Sequence, residues 1–185
     1  THLLRSPVFG VALAIGSRLV GGDPVDGARL VALGLALTAL LGAIRLGWLV
    51  AGPIGAIGTA VALASTSLVW ELLPSMRIDL AQAAGIVILL LVAWRPTRRR
   101  WALAGIVLGI TVLIKETAVP LALLPLALVR PGAVRGAVLL GGIFLAAALL
   151  TAAWWWIFVW TTSGQIFPLN AIAVVEARDV AGSSR

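Results

Sequence analysis

The sequence lacks cysteine, contains a single histidine (His2) and a single lysine (Lys115), and has few charged residues of either sign. Without cysteine the chain can form neither a disulfide nor a thiolate metal site, and one histidine excludes a histidine-rich metal centre. Charged residues make up 11% of the chain and hydrophobic residues 61%, whereas soluble domains have about 25% and about 45–50%. A soluble globule of this length needs more charge to cover its surface. The composition therefore predicts an all-α, polytopic membrane protein.

The formal net charge of +7, from 14 basic and 7 acidic residues, raises the question of a polyanionic partner. A nucleic-acid-binding chain gathers its basic residues on one polar face. Here the basic residues instead punctuate long apolar runs. We therefore expect a lipid bilayer, and no nucleic acid, as the partner.

The uncharged runs define the predicted spans, since a spanning helix needs about 20 residues. They indicate about five full or partial spans, at residues 28–44, 53–70, 79–94, 101–129 and 136–160, with a break at Gly52-Pro53. A shorter apolar run, 8–20, precedes a turn-rich Gly21-Gly22-Asp23-Pro24 and is typical of a helix lying on the membrane surface. Three regions follow: an external helix and turn (1–27), a transmembrane bundle (28–160), and an external loop or tail (161–185).

The stretch 101–129 is longer than one crossing and shorter than two, about 43 Å as a continuous helix. Basic loops flank it on both sides, and the positive-inside rule places both in the cytoplasm. An even number of crossings must therefore lie between them. We expect the chain to rise, turn at Lys115-Glu116-Thr117, and descend through 118–129, lining a protein-covered or wet cavity.

This topology predicts how the charged residues divide between the two sides of the membrane. The external side would hold seven cations and all seven acids, whereas the cytoplasmic side would hold seven cations and no acid: Arg45, Arg95, Arg98, Arg99, Arg100, Arg130 and Arg135. We therefore predict a multi-pass protein of a bacterial inner (plasma) membrane, with its basic loops cytoplasmic. The mixed-charge external face is the expected place for a site.

Lys115, followed by Glu116, is the first candidate for chemistry, because it lies within an apolar stretch. A charge at membrane depth costs about 2.5–3.5 kcal/mol unless it faces a partner or a cavity. The lysine could bind an anionic ligand such as a phosphate. Alternatively, Lys115 and Glu116 form a pair that only caps a half-span at the interface.

Asp79 opens the third span, two residues after Arg77. It could act as an acid or metal ligand at the mouth of a cavity, or simply favour the positive end of the helix dipole. Arg5, in Arg5-Ser6-Pro7, could contact an anion or anchor the interface. The basic loop at Arg95–Arg100 reads first as a topology signal and second as an acidic-lipid site.

Motif chemistry alone leaves the function open, since the sequence shows no nucleophile with a neighbouring base, no phosphate-binding glycine loop and no histidine metal spacing. The order of its landmarks, however, resembles the GT-C glycosyltransferases. Residues 98–129, RRRWALAGIVLGITVLIKETAVPLALLPLALV, are similar to that family's Gly-x-x-x-Gly-x-x-x-Leu-Thr-Lys-x-Thr segment, and 75–95, SMRIDLAQAAGIVILLLVAWR, to its Pro-Asp element entering a span. Residues 5–43 resemble the surface helix and next span, and 152–170 a span end with its external loop.

The nearest branch is that of the dolichyl- or polyprenyl-phosphate-mannose protein mannosyltransferases and the bacterial aminoarabinose transferases. The resemblance implies a transferase that takes a sugar from a polyprenyl-phosphate carrier on the external face. Lys115 matches the lysine of the Thr-Lys element, with Ile114 in place of threonine, and Arg5 takes the lysine position of a Lys-Pro-Pro element. Both would bind the carrier phosphate.

Asp79 matches the Pro-Asp element, with Ile78 in place of proline, and the resemblance implies that it is a second acid or a metal ligand. Glu116 and Arg77, its charged neighbours, are further candidates for an acid or a supporting charge. The resemblance also leaves a divalent metal ion open as a cofactor, with Asp79 as the ligand. The family's catalytic acid precedes the position matched by Thr1, so we expect the chain to be an N-terminally truncated, inactive fragment. The sugar acceptor is not specified.

Two other classes stay open. A non-catalytic membrane subunit or scaffold of a larger complex would have the same composition. A secondary transporter fragment is favoured by Lys115-Glu116, because intramembrane charges often mark ion pathways.

Overall fold

A computed structural model describes residues 7–66, 78–95, 97–127 and 134–163, and all regular secondary structure in these ranges is helical. The predicted all-α class is thereby confirmed. The elements are α1 (Pro7–Leu19), α2 (Pro24–Ser65), α3 (Ile78–Ala93), α4 (Arg98–Ile114), a 3-10 segment (Glu116–Leu123), α5 (Leu124–Ala127) and α6 (Val134–Ser163). Arg5, Arg77 and nearly all of the predicted tail 161–185 lie outside the described residues.

The turn between α1 and α2 forms where the sequence predicts it. Gly21 and Gly22 have φ of 81° and 97°, a left-handed conformation that side chains disfavour. Asp23 then caps α2: its side chain accepts hydrogen bonds from the backbone N–H of Val25 at 2.7 Å and of Asp26 at 3.3 Å. The predicted helix over 8–20 is confirmed as α1.

Helix α2 is broken at Ala51 and Gly52, as Gly52-Pro53 predicts. Gly52 has a φ of 64°, and Pro53 supplies no backbone N–H to continue the ladder. Beyond the break the chain folds back, since a Cβ on Gly47 would overlap the carbonyl oxygen of Gly55. Residues 24–50 and 53–65 therefore form a tight helical hairpin.

Helices α2, α3 and α4 pack side by side, with the first part of α2 parallel to α3 and with α4 antiparallel to both. Leu80 near the start of α3 packs against Ala32 and Ala36 of α2, whereas Val87 further along α3 lies against Gly42. Because the residue numbers increase together on both helices, residues 24–50 of α2 run parallel to α3. Asp79 of α3 contacts Lys115 and Gly85 lies against Thr111 of α4, so α3 and α4 are antiparallel.

Small residues let α4 and α6 approach closely. A Cβ on Gly105 would overlap the carbonyl oxygen of Phe144, and one on Gly109 would crowd Thr151. Because 105 and 109 meet residues of increasing number, α4 and α6 are parallel. Gly-x-x-x-Gly spacing of this kind allows backbone contact between membrane helices.

The best-packed cluster lies between α3, α4 and α6. Its centre is Trp101 against Phe144, edge to face with ring centroids 5.6 Å apart. The other buried members are Leu89, Ala93, Ala104 and Leu108. This core fixes the helices on which the candidate site is built.

After α4 the chain turns back, but not as the predicted helical half-span. The stretch 118–129 is described as the end of a 3-10 segment followed by the single turn α5, and residues 128–133 lie outside the described part. Pro120 accounts for the absence of a regular α-helix there, because it cannot donate the α-helical hydrogen bond and its ring clashes with the carbonyl four residues earlier. Pro125 of α5 lies against Gly141, partway along α6, so the segment does return alongside the bundle.

Within the described ranges, two helical elements are long and apolar enough to cross a membrane: α2 and the part of α6 spanning Gly136–Phe158. Apolar side chains point outward along both, including Leu33, Leu41 and Ile54 on α2 and Leu149 and Ile157 on α6. Exposed apolar surface of this extent is typical of an interaction with lipid or protein.

The charged residues lie near the two ends of the helices. Asp23, Asp26, Asp79 and Lys115 lie at one end, which we call the mixed-charge end. Arg95, Arg98, Arg99 and Arg100 lie at the opposite end, which we call the basic end. Among the described side chains, every carboxylate belongs to the mixed-charge end.

Candidate functional site

The site forms where α4 ends. Lys115 has extended backbone angles (φ −154°, ψ 123°), while its N–H still donates to the carbonyl of Thr111 at 2.9 Å. It therefore caps α4 and starts the 3-10 segment, whose Pro120 prevents α4 from continuing. The helix end thus places the lysine side chain at the mixed-charge end.

The Nζ of Lys115 donates a hydrogen bond to Oδ1 of Asp79, forming an ion pair between the end of α4 and the start of α3. The lysine side chain is 32% exposed and the aspartate side chain 43% exposed, so a ligand can reach both. Asp79 lies in the first turn of α3, where a carboxylate also interacts favourably with the helix dipole. The pair holds a positive and a negative group together at an accessible surface.

A second polar contact lies beside the ion pair. The side-chain amide of Gln82, one turn after Asp79, donates to Oγ1 of Thr117 at 2.8 Å. Two contacts, Asp79–Lys115 and Gln82–Thr117, therefore join α3 to the chain just after α4. We call these four side chains the polar clasp.

Below the polar clasp, α3 and α4 are in close contact. A Cβ on Gly85 would overlap the side chain of Thr111, which is fully buried and donates its hydroxyl to the carbonyl of Val107 at 2.7 Å. This approach leaves no room for a side chain at position 85 between the two helices. It fixes the spacing across which Asp79 meets Lys115.

The other predicted site residues are placed only in part. The side chain of Glu116 lies outside the described residues, so the predicted Lys115–Glu116 pair stays a prediction. Arg5 and Arg77, which lie outside the described residues altogether, likewise stay predictions. Of the five predicted residues, the structure brings together Lys115 and Asp79.

The role of Asp79 as a ligand of a divalent metal stays a prediction. A metal site needs several convergent oxygen or nitrogen ligands. No group of three His, Cys, Asp or Glu side chains converges within the described ranges. The partner of Asp79 there is itself a cation, which opposes a second one. We derive no chemistry through a metal at this position.

Chemically, the polar clasp offers one ammonium group, one carboxylate, an amide and a hydroxyl at an exposed helix end. A lysine on a flexible stem can exchange its carboxylate partner for another anion without moving the helix. The polar clasp therefore suits binding of an anion more than proton transfer or nucleophilic attack.

Sequence reasoning missed Gln82 and Thr117. Gln82 is the one amide within the otherwise uncharged part of α3, and a polar side chain in such a run was the available signal. Thr117 was taken only as part of the turn. Their contact joins α3 to the 3-10 segment, and apolar patterning alone does not predict which faces of these two elements meet.

A comparison of the chain with protein-family models, curated proteins and solved structures finds no match. The resemblance to GT-C glycosyltransferases therefore stays a prediction from the sequence.

Proposed function

We propose that this chain is part of a multi-pass membrane glycosyltransferase that takes a sugar from a polyprenyl-phosphate carrier, with Lys115 as a ligand of the carrier phosphate. The observation that carries the proposal is the position of Lys115 at a helix break, one-third exposed, in the polar clasp. Arg5 is proposed as the second phosphate ligand. The acceptor and the sugar are left open.

The membrane setting of this proposal rests on composition and on the sorting of charge. Besides α2 and α6, α1 and α3 are shorter apolar helices, which fits a multi-pass bundle with α1 at the surface. The basic end is proposed to face the cytoplasm by the positive-inside rule. The mixed-charge end, with Lys115, then faces outward, as a periplasmic transferase of a bacterial plasma membrane requires.

In the proposed reaction, the bond between the anomeric carbon and the carrier phosphate oxygen breaks, and a bond to an acceptor hydroxyl oxygen forms. The departing phosphate gains negative charge, which a nearby cation stabilises. Lys115 would supply that cation. The acceptor's proton would go to a base outside this chain's described residues.

Asp79 gives the proposal a specific consequence. In the ligand-free clasp it neutralises the ammonium of Lys115, so a phosphate must compete with this carboxylate. Asp79 also repels the incoming anion. Removing its charge should therefore strengthen phosphate binding, whereas removing the charge of Lys115 should weaken it.

The experiment is a titration of the purified chain with polyprenyl phosphate, and with the uncharged polyprenol as control, followed by native mass spectrometry. The proposal expects Lys115→Met to weaken binding of the phosphate by about tenfold to a hundredfold, the range for a charged hydrogen bond. Binding of polyprenol should not change. Equal binding of both lipids by the native chain would contradict the proposal.

A second function, a non-catalytic membrane subunit, is favoured by the polar clasp itself. Two side-chain contacts tie α3 to the 3-10 segment, as a purely structural fastening would. If that is the whole role of the clasp, Asp79→Asn and Lys115→Met should lower stability alike and neither should alter lipid binding.

A further inference from the structure

The basic end carries a group of four arginines close together in the sequence. Arg95, Arg98, Arg99 and Arg100 surround the short turn between α3 and α4, and all four are exposed. Neither of the two ion pairs among the described residues includes any of them. We call these four side chains the arginine patch.

The arginine patch interacts unfavourably with the dipole of the helix on which it lies. Arg98, Arg99 and Arg100 occupy the first turn of α4, the positive end of the helix dipole, where acidic residues are favoured and cations are not. The capping group that the described residues supply is the neutral hydroxyl of Thr97, which accepts weakly from the N–H of Arg100 at 3.4 Å. Like charges therefore accumulate with no described carboxylate to offset them.

The surroundings of the patch identify the class of anion. Trp94, directly before it, is 43% exposed, and Leu103 on the next turn of α4 is 53% exposed. An aromatic side chain beside arginines, above an outward apolar helix face, matches the headgroup level of a bilayer. The anion expected at this level is the phosphate of a phospholipid headgroup.

We propose that the arginine patch binds the headgroups of anionic phospholipids. The guanidinium groups would donate hydrogen bonds to the lipid phosphate, and Trp94 would lie at the boundary of the acyl chains. The site is distant from the polar clasp and does not depend on the function proposed for it. The lipid would offset the repulsion within the first turn of α4.

The test uses the purified full chain in a neutral detergent, titrated with phosphatidylglycerol or phosphatidylcholine and followed by native mass spectrometry. Each arginine near an anionic surface contributes a factor of about five in affinity. Arg98→Gln with Arg99→Gln should therefore weaken phosphatidylglycerol binding roughly thirtyfold. Phosphatidylcholine binding should stay unchanged.

The matched control is Arg18→Gln with Arg29→Gln, which removes the same number of charges from exposed residues at the mixed-charge end. It should leave phosphatidylglycerol binding intact. Arg98→Lys with Arg99→Lys should keep most of the binding. If both glutamine variants lose phosphatidylglycerol binding equally, the net charge of the protein alone explains the binding, and the proposal is overturned.

Two further measurements keep the proposal open to contradiction if the glutamine variant fails to fold. In the native chain, phosphatidylglycerol binding should weaken as salt is raised, because the contacts are ionic. Binding that ignores salt overturns the proposal. So does displacement of the lipid by a short oligonucleotide, which would mark the patch as a general polyanion surface.

Discussion

Lys115 and Asp79 lie 36 positions apart in the sequence and form an ion pair between the end of α4 and the start of α3. Both side chains are partly exposed. A pair in that setting contributes little to stability, about 0.2–1 kcal/mol, because water screens it and ordering the side chains costs entropy. Its accessibility therefore suits ligand exchange better than structural support.

That small contribution is itself a prediction. A double-mutant cycle with Lys115→Met and Asp79→Asn should give a coupling free energy of at most about 1 kcal/mol. The measurement is the free energy of unfolding in mixed micelles for the four proteins of the cycle. A coupling of several kcal/mol would instead mark the pair as a structural fastening.

The contact between α4 and α6 predicts a steric effect at Gly105. Gly105→Ala should destabilise the chain by about 1–3 kcal/mol, because the new methyl would overlap the carbonyl oxygen of Phe144. Gly34→Ala is the control, since a Cβ there meets nothing within 4 Å. The control should stabilise α2 by up to about 1 kcal/mol. Equal effects on unfolding would contradict the described packing.

The core aromatic pair predicts a difference between two tryptophans. Trp101→Ala should cost about 3–5 kcal/mol, because it removes a 4% exposed ring packed on Phe144 and leaves a cavity. Trp48→Ala, at a side chain 47% exposed, should cost much less. Thermal unfolding followed by near-UV circular dichroism compares the two.

The proposed orientation can be tested with single cysteines, since the chain has none of its own. Val20→Cys lies at the mixed-charge end and Thr97→Cys at the basic end, and both positions are exposed. A membrane-impermeant maleimide should label Val20→Cys from outside intact cells and Thr97→Cys only after the membrane is opened. Labelling of both from one side would contradict the proposed topology.

The sequence was enough to predict the breaks in the fold. Gly52-Pro53 interrupts α2 because glycine accepts the left-handed angle and proline removes a donor, both local effects. The turn at Lys115 was predicted instead from the basic loops on both sides of 101–129, which require an even number of crossings between them. The 3-10 form after Lys115 was not predicted, because apolar composition alone does not distinguish it from an α-helix.

The partners in the site could not be predicted. Helices that are apolar on nearly every side give no periodic signal for the face that contacts a neighbour. Asp79 was therefore identified as a candidate but not as the partner of Lys115, and Gln82 was overlooked. Their contacts depend on how closely Gly85 lets α3 approach Thr111, which is a tertiary property.

The most direct test of the proposed function compares polyprenyl-phosphate binding by Asp79→Asn and by Lys115→Met, using native mass spectrometry at equal folded yield. Each substitution breaks the same ion pair, so a purely structural role predicts the same change in both. Phosphate binding by Lys115 predicts opposite changes: binding that is kept or strengthened in Asp79→Asn, and weakened by about tenfold or more in Lys115→Met. Parallel losses in the two variants would contradict the proposal.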